Sequence, residues 1–574
     1  MEIEYSDVVV VGGGPAGSCA ASFLSKQGRK VILLEKERFP RHHIGESTLI
    51  GLTKLLEIEI GVGSKIASAG FLLKTGASYI WGNNRTPWSF HFWEVFEKDR
   101  VAYEVDRAKF DEILLRHSSS LGTDVREESR VTRVLFDGKR AIGVNYIDSN
   151  SKKHTILAKF TVDASGLAAV LGSQLKVRRQ YERIRNIAIY GYWDGDNLPY
   201  DELGGDITPE DKTNILVVAH ERCWIWVIPL AGQRISVGIV FDIADIPLLQ
   251  AQGRSSFYME KVLGCDEVKK VLRTSSFLKE EPLRIIQDWS QVSEEVIGPG
   301  YILTGDAAAF VDPILSSGVT LAVTFGIAAG RTVNTILEYG EAASWAYTWY
   351  KHAYTNAYND FRRMADFWYL GSGHKEDWFY IAYEQIRQTA RVELDRRKAF
   401  IHLASGTFTT GEFIDRECYV DSKTFPITVY FSPHSHYAFF SPNDRLQVAQ
   451  HLTEFPEELV KPTFESVPAS DLDSNKGHND NDQALQNPKL LSNLRIGIYT
   501  RVKDPFIDIC CYLSQFEGEK TNGVYFPLSP SQLAFFRALN GRNTLEEISY
   551  KTRTPMRRVR KIIDNLMHEG LMER

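Results

Sequence analysis

The chain has 574 residues, more than one compact domain holds, so two or three domains are expected. With 43% hydrophobic residues it has an ordinary globular composition, and a formal net charge of -6 argues against nucleic acid as the main partner. The six cysteines form no C-x-x-C pair and no Cys/His box, which fits a reducing compartment and no metal site. The first apolar run, residues 8–11, has no basic lead and is broken by Gly12 to Gly14, unlike a signal peptide. No uninterrupted run of about 18 apolar residues occurs, so no membrane partner is expected and the expected location is cytoplasmic.

In chain order, residues 7–11 read as a β-branched strand, 12–17 as a tight turn, 18–27 as a helix ended by Gly28, and 31–35 as the next strand. Short strands and helices then alternate to about residue 330, the pattern of an α/β fold. Residues 318–338 read as a long helix and 341–370 as another, rich in Tyr, Trp and Phe. These limits give a core over 1–370 and a mixed extension over 371–465. A polar, acidic linker over 466–490 follows, with little apolar side-chain volume to bury. Residues 491–574 recover apolar periodicity. Three short helices at 528–539, 544–551 and 556–568 outline a winged-helix-like module.

The run Gly12-Gly13-Gly14-Pro15-Ala16-Gly17 satisfies G-x-G-x-x-G between a strand and a helix. The first glycine makes the turn, the second admits a pyrophosphate to the backbone, and the third lets helix and strand pack closely. The helix start then offers free N–H groups to phosphate. Glu35 ends the next strand about 20 residues on, where a carboxylate accepts from a ribose 2′-OH. That selects FAD or NAD over NADP.

Two further segments bear on which dinucleotide binds. Asp163-Ala164-Ser165-Gly166 and Gly305-Asp306-Ala307-Ala308 each follow an apolar strand and resemble the DxxG and GDA elements of the FAD-dependent hydroxylase superfamily. The resemblance implies FAD, with Asp306 on the ribityl chain. It also implies a Rossmann-like FAD domain of the hydroxylase (GR2) type with an inserted β-sheet substrate domain.

Four more features resemble flavin-dependent halogenases of the tryptophan halogenase-like superfamily. Trp224-Ile225-Trp226-Val227-Ile228-Pro229 matches W-x-W-x-I-P; two indoles two residues apart on a strand share a face and wall off the flavin. Lys74, after Gly45-Glu46-Ser47, aligns with the family's active-site lysine, and its neighbours Phe71, Leu72 and Leu73 suggest burial that favours the free amine. Asp312-Pro313-Ile314-Leu315-Ser316-Ser317-Gly318 leads into the long helix; the resemblance places halide at Ser316, Ser317 and Gly318. Gln287-Asp288-Trp289-Ser290 resembles D-[YW]-S-Y, with Gln291 in place of the last Tyr, and puts Asp288 beside the flavin, where covalent attachment is conceivable. The same resemblance assigns Lys36, Glu46, Ser47, Arg107 and Ile314 to the cofactor.

The resemblance implies that FADH2 and O2, through a flavin C4a-hydroperoxide, turn chloride or bromide into hypohalous acid, which Lys74 directs to the substrate beyond Trp224 and Trp226. A separate flavin reductase would supply FADH2. Halogenases of free tryptophan carry a Glu where this chain has Leu315, so phenols, pyrroles or activated acyl groups, often tethered to an acyl or peptidyl carrier protein, are the expected substrates. Lys551, Arg553, Arg557, Arg558, Arg560 and Lys561 form a basic cluster, read as docking an acidic carrier or as a solvated face rather than as binding nucleic acid. Two other readings stay open: a monooxygenase or geranylgeranyl reductase-like oxidoreductase of the same fold, and an idle flavoprotein scaffold.

Overall fold

The computed structural model describes residues 3–406 apart from short gaps at 83–84, 97–101, 182–184, 196–197, 288–289, 341–342, 371–374 and 391–394. Beyond 406 it describes the strands Leu494–Lys503, Phe506–Glu517 and Lys520–Leu528 and five helical residues: Leu545, Glu547, Ile548, Val559 and Ile563. The chain divides into two compact units, Met1–Glu338 with Tyr350–Tyr419, and Tyr339–Trp349 with Val420–Arg574. The helices Lys375–Ala390 and Arg396–Ala404 thus belong to the first unit, and the division does not fall at residue 370.

Two sheets make up most of the first unit. The first is nucleated by β1 (Ile3–Val11), α1 (Pro15–Lys26) and β2 (Val31–Leu34), a right-sized β-α-β step in which β1 and β2 pair in parallel. The last four residues of β1 and all of β2 are buried on both faces, as a helix-covered parallel sheet requires. The strand Lys153–Asp163 runs parallel on the other side of β1, and Tyr301–Leu303 parallel beyond it. The GDA turn therefore emerges at the same sheet edge as the glycine turn.

The second sheet is largely antiparallel and carries the tryptophan strand Cys223–Leu230 between Ile215–His220 and Arg234–Asp242. Alternation sorts its side chains. Ile225 and Val227 enter an apolar core with Val237, Ile239 and the helix residues Phe257, Tyr258 and Val262. Trp224, Trp226 and Ile228 take the opposite face.

The long helix Gly318–Tyr339 meets the length and hydropathy of a membrane span, but its apolar window is entirely buried inside the protein, as in a core helix. The described strands of the second unit form a three-stranded antiparallel sheet. The helices expected at 544–551 and 556–568 lie almost wholly outside the described residues. Leu528, expected to begin a helix, ends the third strand instead.

Candidate active site

The glycine turn works through what its residues lack. Gly12 adopts φ +101°, and a Cβ there would sit 2.5 Å from the Ala164 carbonyl oxygen; a Cβ on Gly17 would sit 1.9 Å from the Gly12 oxygen. A side chain at Gly12 would force the turn off the segment after Asp163, and one at Gly17 would force the helix off the turn. The Glu35 carboxylate accepts from the Gly13 amide at 2.6 Å and from the Glu37 amide at 2.8 Å, so it is pinned at the end of β2 as a ready acceptor.

A cavity of about 600 Å³ is lined by Gly12, Gly14, Pro15, Ala16, Glu35 and Lys36 at this turn. Its lining continues through Glu46, Ser47, Arg107 and Asp306 to Trp224, Trp226, Ser316 and Gly318. Segments from residue 12 to residue 318 thus meet on one space. Five of the sequence-assigned residues do not reach it. Gly17 and Gly305 serve close packing, Gly305 against the Ala16 Cβ. Ile314 and Ser317 are buried beside it, and Lys74 lies behind Ser47. Asp288 falls outside the described residues, while its neighbour Ser290 donates to the Val311 carbonyl at 2.5 Å.

Asp306 faces the cavity from the GDA turn. Burial pushes its carboxyl up to about 6, opposed by the charges of Arg107 and Arg178 and by no hydrogen bond. A half-buried acceptor facing the cavity without a protein donor fits a ribityl hydroxyl arriving there. Together with the cradle at Gly12 and the fixed Glu35 acceptor, these residues fit FAD. Asp163 shapes the turn opposite: its carboxylate takes the Ser165 amide and hydroxyl at 3.1 and 2.6 Å and the Leu171 amide at 2.7 Å.

Arg107 is committed mainly to the protein. It forms a two-point pair with Asp111 at 2.8 and 2.9 Å and donates to the Ile44 carbonyl, holding the segment before Glu46. Arg41, which the sequence reading missed, lines the cavity beside Gly14 and pairs with Asp111 at 3.1 Å. A cation next to the glycine turn was invisible because no fixed spacing links it to the glycines.

The two indoles stand 5.9 Å apart, tilted by 53°, as the strand spacing requires. Trp226 lies flat over Gly238 on the next strand, where a Cβ would come within 2.2 Å of the ring, and its Nε1 donates to Ser236 at 3.2 Å. Trp224 Nε1 donates to the Tyr369 hydroxyl at 2.9 Å, and that hydroxyl donates to Asp312 Oδ1 at 2.9 Å. Asp312 in turn caps the short turn Pro313–Leu315 through the Ile314 amide. The chain then passes through Ser316 at φ +54° into the Gly318 helix.

Lys74 ends the short strand Leu72–Lys74 and is 2% exposed. Its ammonium donates to Ser47 Oγ at 2.7 Å and to the Thr48 carbonyl at 3.0 Å. Burial lowers its pKa, partly offset by Glu104. Glu46, on the cavity wall, accepts from the Tyr192 hydroxyl at 2.7 Å; burial raises its carboxyl to about 7 against the pull of the Ser236 and Tyr192 hydroxyls.

A family model described as tryptophan halogenase matches residues 7–101 and 94–413, most of the chain. The chain belongs to that family. It is an enzyme of the flavin-dependent halogenase class, whose chemistry draws on FAD, a halide and dioxygen. A tryptophan 2-halogenase of Chondromyces crocatus is 33% identical over 412 residues, which cover 71% of this chain and 76% of that protein. A 1H-pyrrole-2-carbonyl-(peptidyl-carrier protein) chlorinase of Pseudomonas fluorescens is 33% identical over 355 residues, 58% of this chain and 76% of its own. The solved structure of the myxobacterial chondrochloren halogenase CndH, a variant of FAD-dependent halogenases, matches with a TM-score of 0.59 at 30% identity. It covers 71% of this halogenase and 97% of its own chain.

Proposed function

We propose that this halogenase places chlorine or bromine on an electron-rich carbon of a natural-product precursor, carried as a thioester on a carrier protein, with Lys74 directing the halogen. The observation that carries the reading is the pair Trp224 and Trp226 walling the same cavity that Glu35 and the glycine turn open at its other end. A bulky wall suits a small diffusing oxidant and excludes a substrate that must touch the flavin. The pyrrole-carrier chlorinase among the relatives supports the tethered substrate.

The glycine turn, Glu35 and Asp306 would hold FAD, which, reduced by a separate flavin reductase, would supply with dioxygen the oxidising power for hypohalous acid. The protein's own residues do the rest. Ser316 and the Gly318 helix start, both on the cavity wall, orient the halide. The indoles exclude water and bulk substrate. Lys74, reached through the Ser47 wall, receives the halogen.

Leu315 is 5% exposed and apolar, so it offers no acceptor to an indole N–H; phenols and pyrroles need less such help. The relative named for tryptophan makes free tryptophan the second substrate to try. The test supplies FADH2 from an added reductase, oxygen and bromide, and follows bromination of an electron-rich phenol, of tryptophan and of a pyrrolyl thioester on a carrier protein. The wild type should brominate the tethered substrate, and Lys74→Ala should lose at least about a hundredfold in that rate while hydrogen peroxide still forms. Peroxide as the sole product with all three substrates would refute halogenation. Equal rates in Lys74→Ala would refute delivery by Lys74.

A further inference from the structure

The strand pairing that buries Lys74 brings a second ionisable group to the same hydroxyl. The strands Leu72–Lys74 and Ala102–Glu104 run antiparallel, and Ser47 bridges to Glu104 across the edge. Lys74 Nζ donates to Ser47 Oγ at 2.7 Å, and Ser47 Oγ donates to Glu104 Oε1 at 3.1 Å. Lys74, Ser47 and Glu104 are 2%, 5% and 0% exposed. The donor directions run one way, from amine through hydroxyl to carboxylate. Of the three, only Ser47 lines the cavity.

We propose that Ser47 and Glu104 are a proton relay that frees the Lys74 amine for the halogen. Lys74 gives a proton to Ser47 Oγ as Ser47 passes its own to Glu104 Oε1. One N–H bond breaks, one O–H bond forms on Glu104, and Ser47 ends as a hydroxyl. An ammonium and a carboxylate become an amine and a carboxylic acid, with no change in net charge and no proton exchanged with solvent. Glu104 is a positioning residue in this scheme; it touches neither halide nor substrate.

The electrostatics support the neutral pair. Separated charges in a dry site are costly. Burial pushes the Glu104 carboxyl up to about 8, with Glu46 adding to the rise and Lys74 and the Ser47 hydroxyl opposing it. Burial likewise lowers Lys74. The other groups facing Glu104 are the Ile215 backbone, on the strand Ile215–His220, and the Tyr200 phenol, itself raised by burial and by Glu104.

The inference rests on Lys74 as the residue that receives the halogen, yet the coupling is measurable without flavin, halide or substrate. Infrared spectra of the protein with 13C-carboxyl glutamate, recorded as pH is raised, should show a buried carboxylic acid that is missing in Glu104→Gln. Its titration should move upward in Lys74→Met and in Ser47→Ala, because each removes a partner that favours the carboxylate. A Glu104 band unmoved by both variants overturns the relay. The second readout is the pH profile of halogenation. The wild type should hold a plateau through neutral pH, since the proton stays within the pair. In Glu104→Gln the amine must release its proton to solvent, so product formation should climb about tenfold per pH unit until the amine is free. Glu104→Asp should restore part of the plateau. Parallel profiles for wild type and Glu104→Gln overturn the relay even if Lys74→Ala abolishes halogenation. Conversely, full halogenation by Lys74→Ala beside a shifted Glu104 band would remove the delivery role and leave the coupled pair standing.

Discussion

The two ends of the cavity are built on opposite principles. At the glycine-turn end, function comes from missing side chains: Gly12 and Gly17 bring backbone within contact distance, and a single carboxylate, Glu35, is fixed by the amides of Gly13 and Glu37. At the tryptophan end, function comes from volume and from buried ionisable groups, and each group is held by a partner on another segment of the chain. Trp226 needs Gly238, Trp224 needs Tyr369, and Lys74 needs Ser47 and Glu104. At the first end, Gly12 and Gly17 tolerate no added atom. On the proposed function, change at the second costs control over a reactive intermediate.

The sharpest break in that contrast is Gly17→Ala. A methyl 1.9 Å from the Gly12 oxygen has only backbone to displace, so a loss of about 3 kcal/mol or more in stability is expected, together with loss of bound flavin. Thermal melting and flavin absorbance of the purified protein check it; retained flavin would mean that helix and strand can part without harm. At the other end, Gly238→Ala pushes on a side chain rather than on backbone. Its expected cost is about 1–3 kcal/mol, with flavin retained and the ratio of hydrogen peroxide to halogenated product raised. An unchanged ratio would show that the position of the Trp226 ring does not govern containment.

The smallest effect concerns pH. Glu46 has its folded pKa raised to about 7, above its ordinary carboxylate value, so the fold favours the protonated form. That stabilisation is fully present below the ordinary value and is lost as pH rises through about 7. Melting temperature should therefore decline over that window in the wild type, and Glu46→Gln should flatten the decline. A decline of the same steepness in Glu46→Gln would assign it to other groups.

The glycine-turn end was legible in the sequence because missing side chains leave a short, fixed spelling: glycines at set spacing and an acid one strand later. The pair Trp224 and Trp226 was legible as a shared face because strand alternation is local. Burial of Lys74 followed from its apolar neighbours. Its partners did not, since Ser47 and Glu104 are 27 and 30 residues from it and meet it only through strand pairing. Arg41 and Tyr369 were missed for the same reason. In the second unit the strand Leu494–Lys503 carries its own period-two signal in Leu494, Ile496, Ile498 and Val502, which the helical reading passed over. Ile314 and Ser317 sit in the right segment but are buried beside the cavity, whereas the left-handed Ser316 and Gly318, assigned with them, line it.

The Tyr369 hydroxyl has a mechanical consequence. It accepts from the wall indole Trp224 and donates to Asp312, the cap of the turn that leads to Gly318. Neither piece can shift alone without breaking a bond that steadies the other. The indole wall and the turn before Gly318 are thus geared together through one oxygen atom on the helix that ends at Leu370. On the proposed function such gearing is an advantage: the chamber that makes the oxidant and the door that confines it would be set by the same latch.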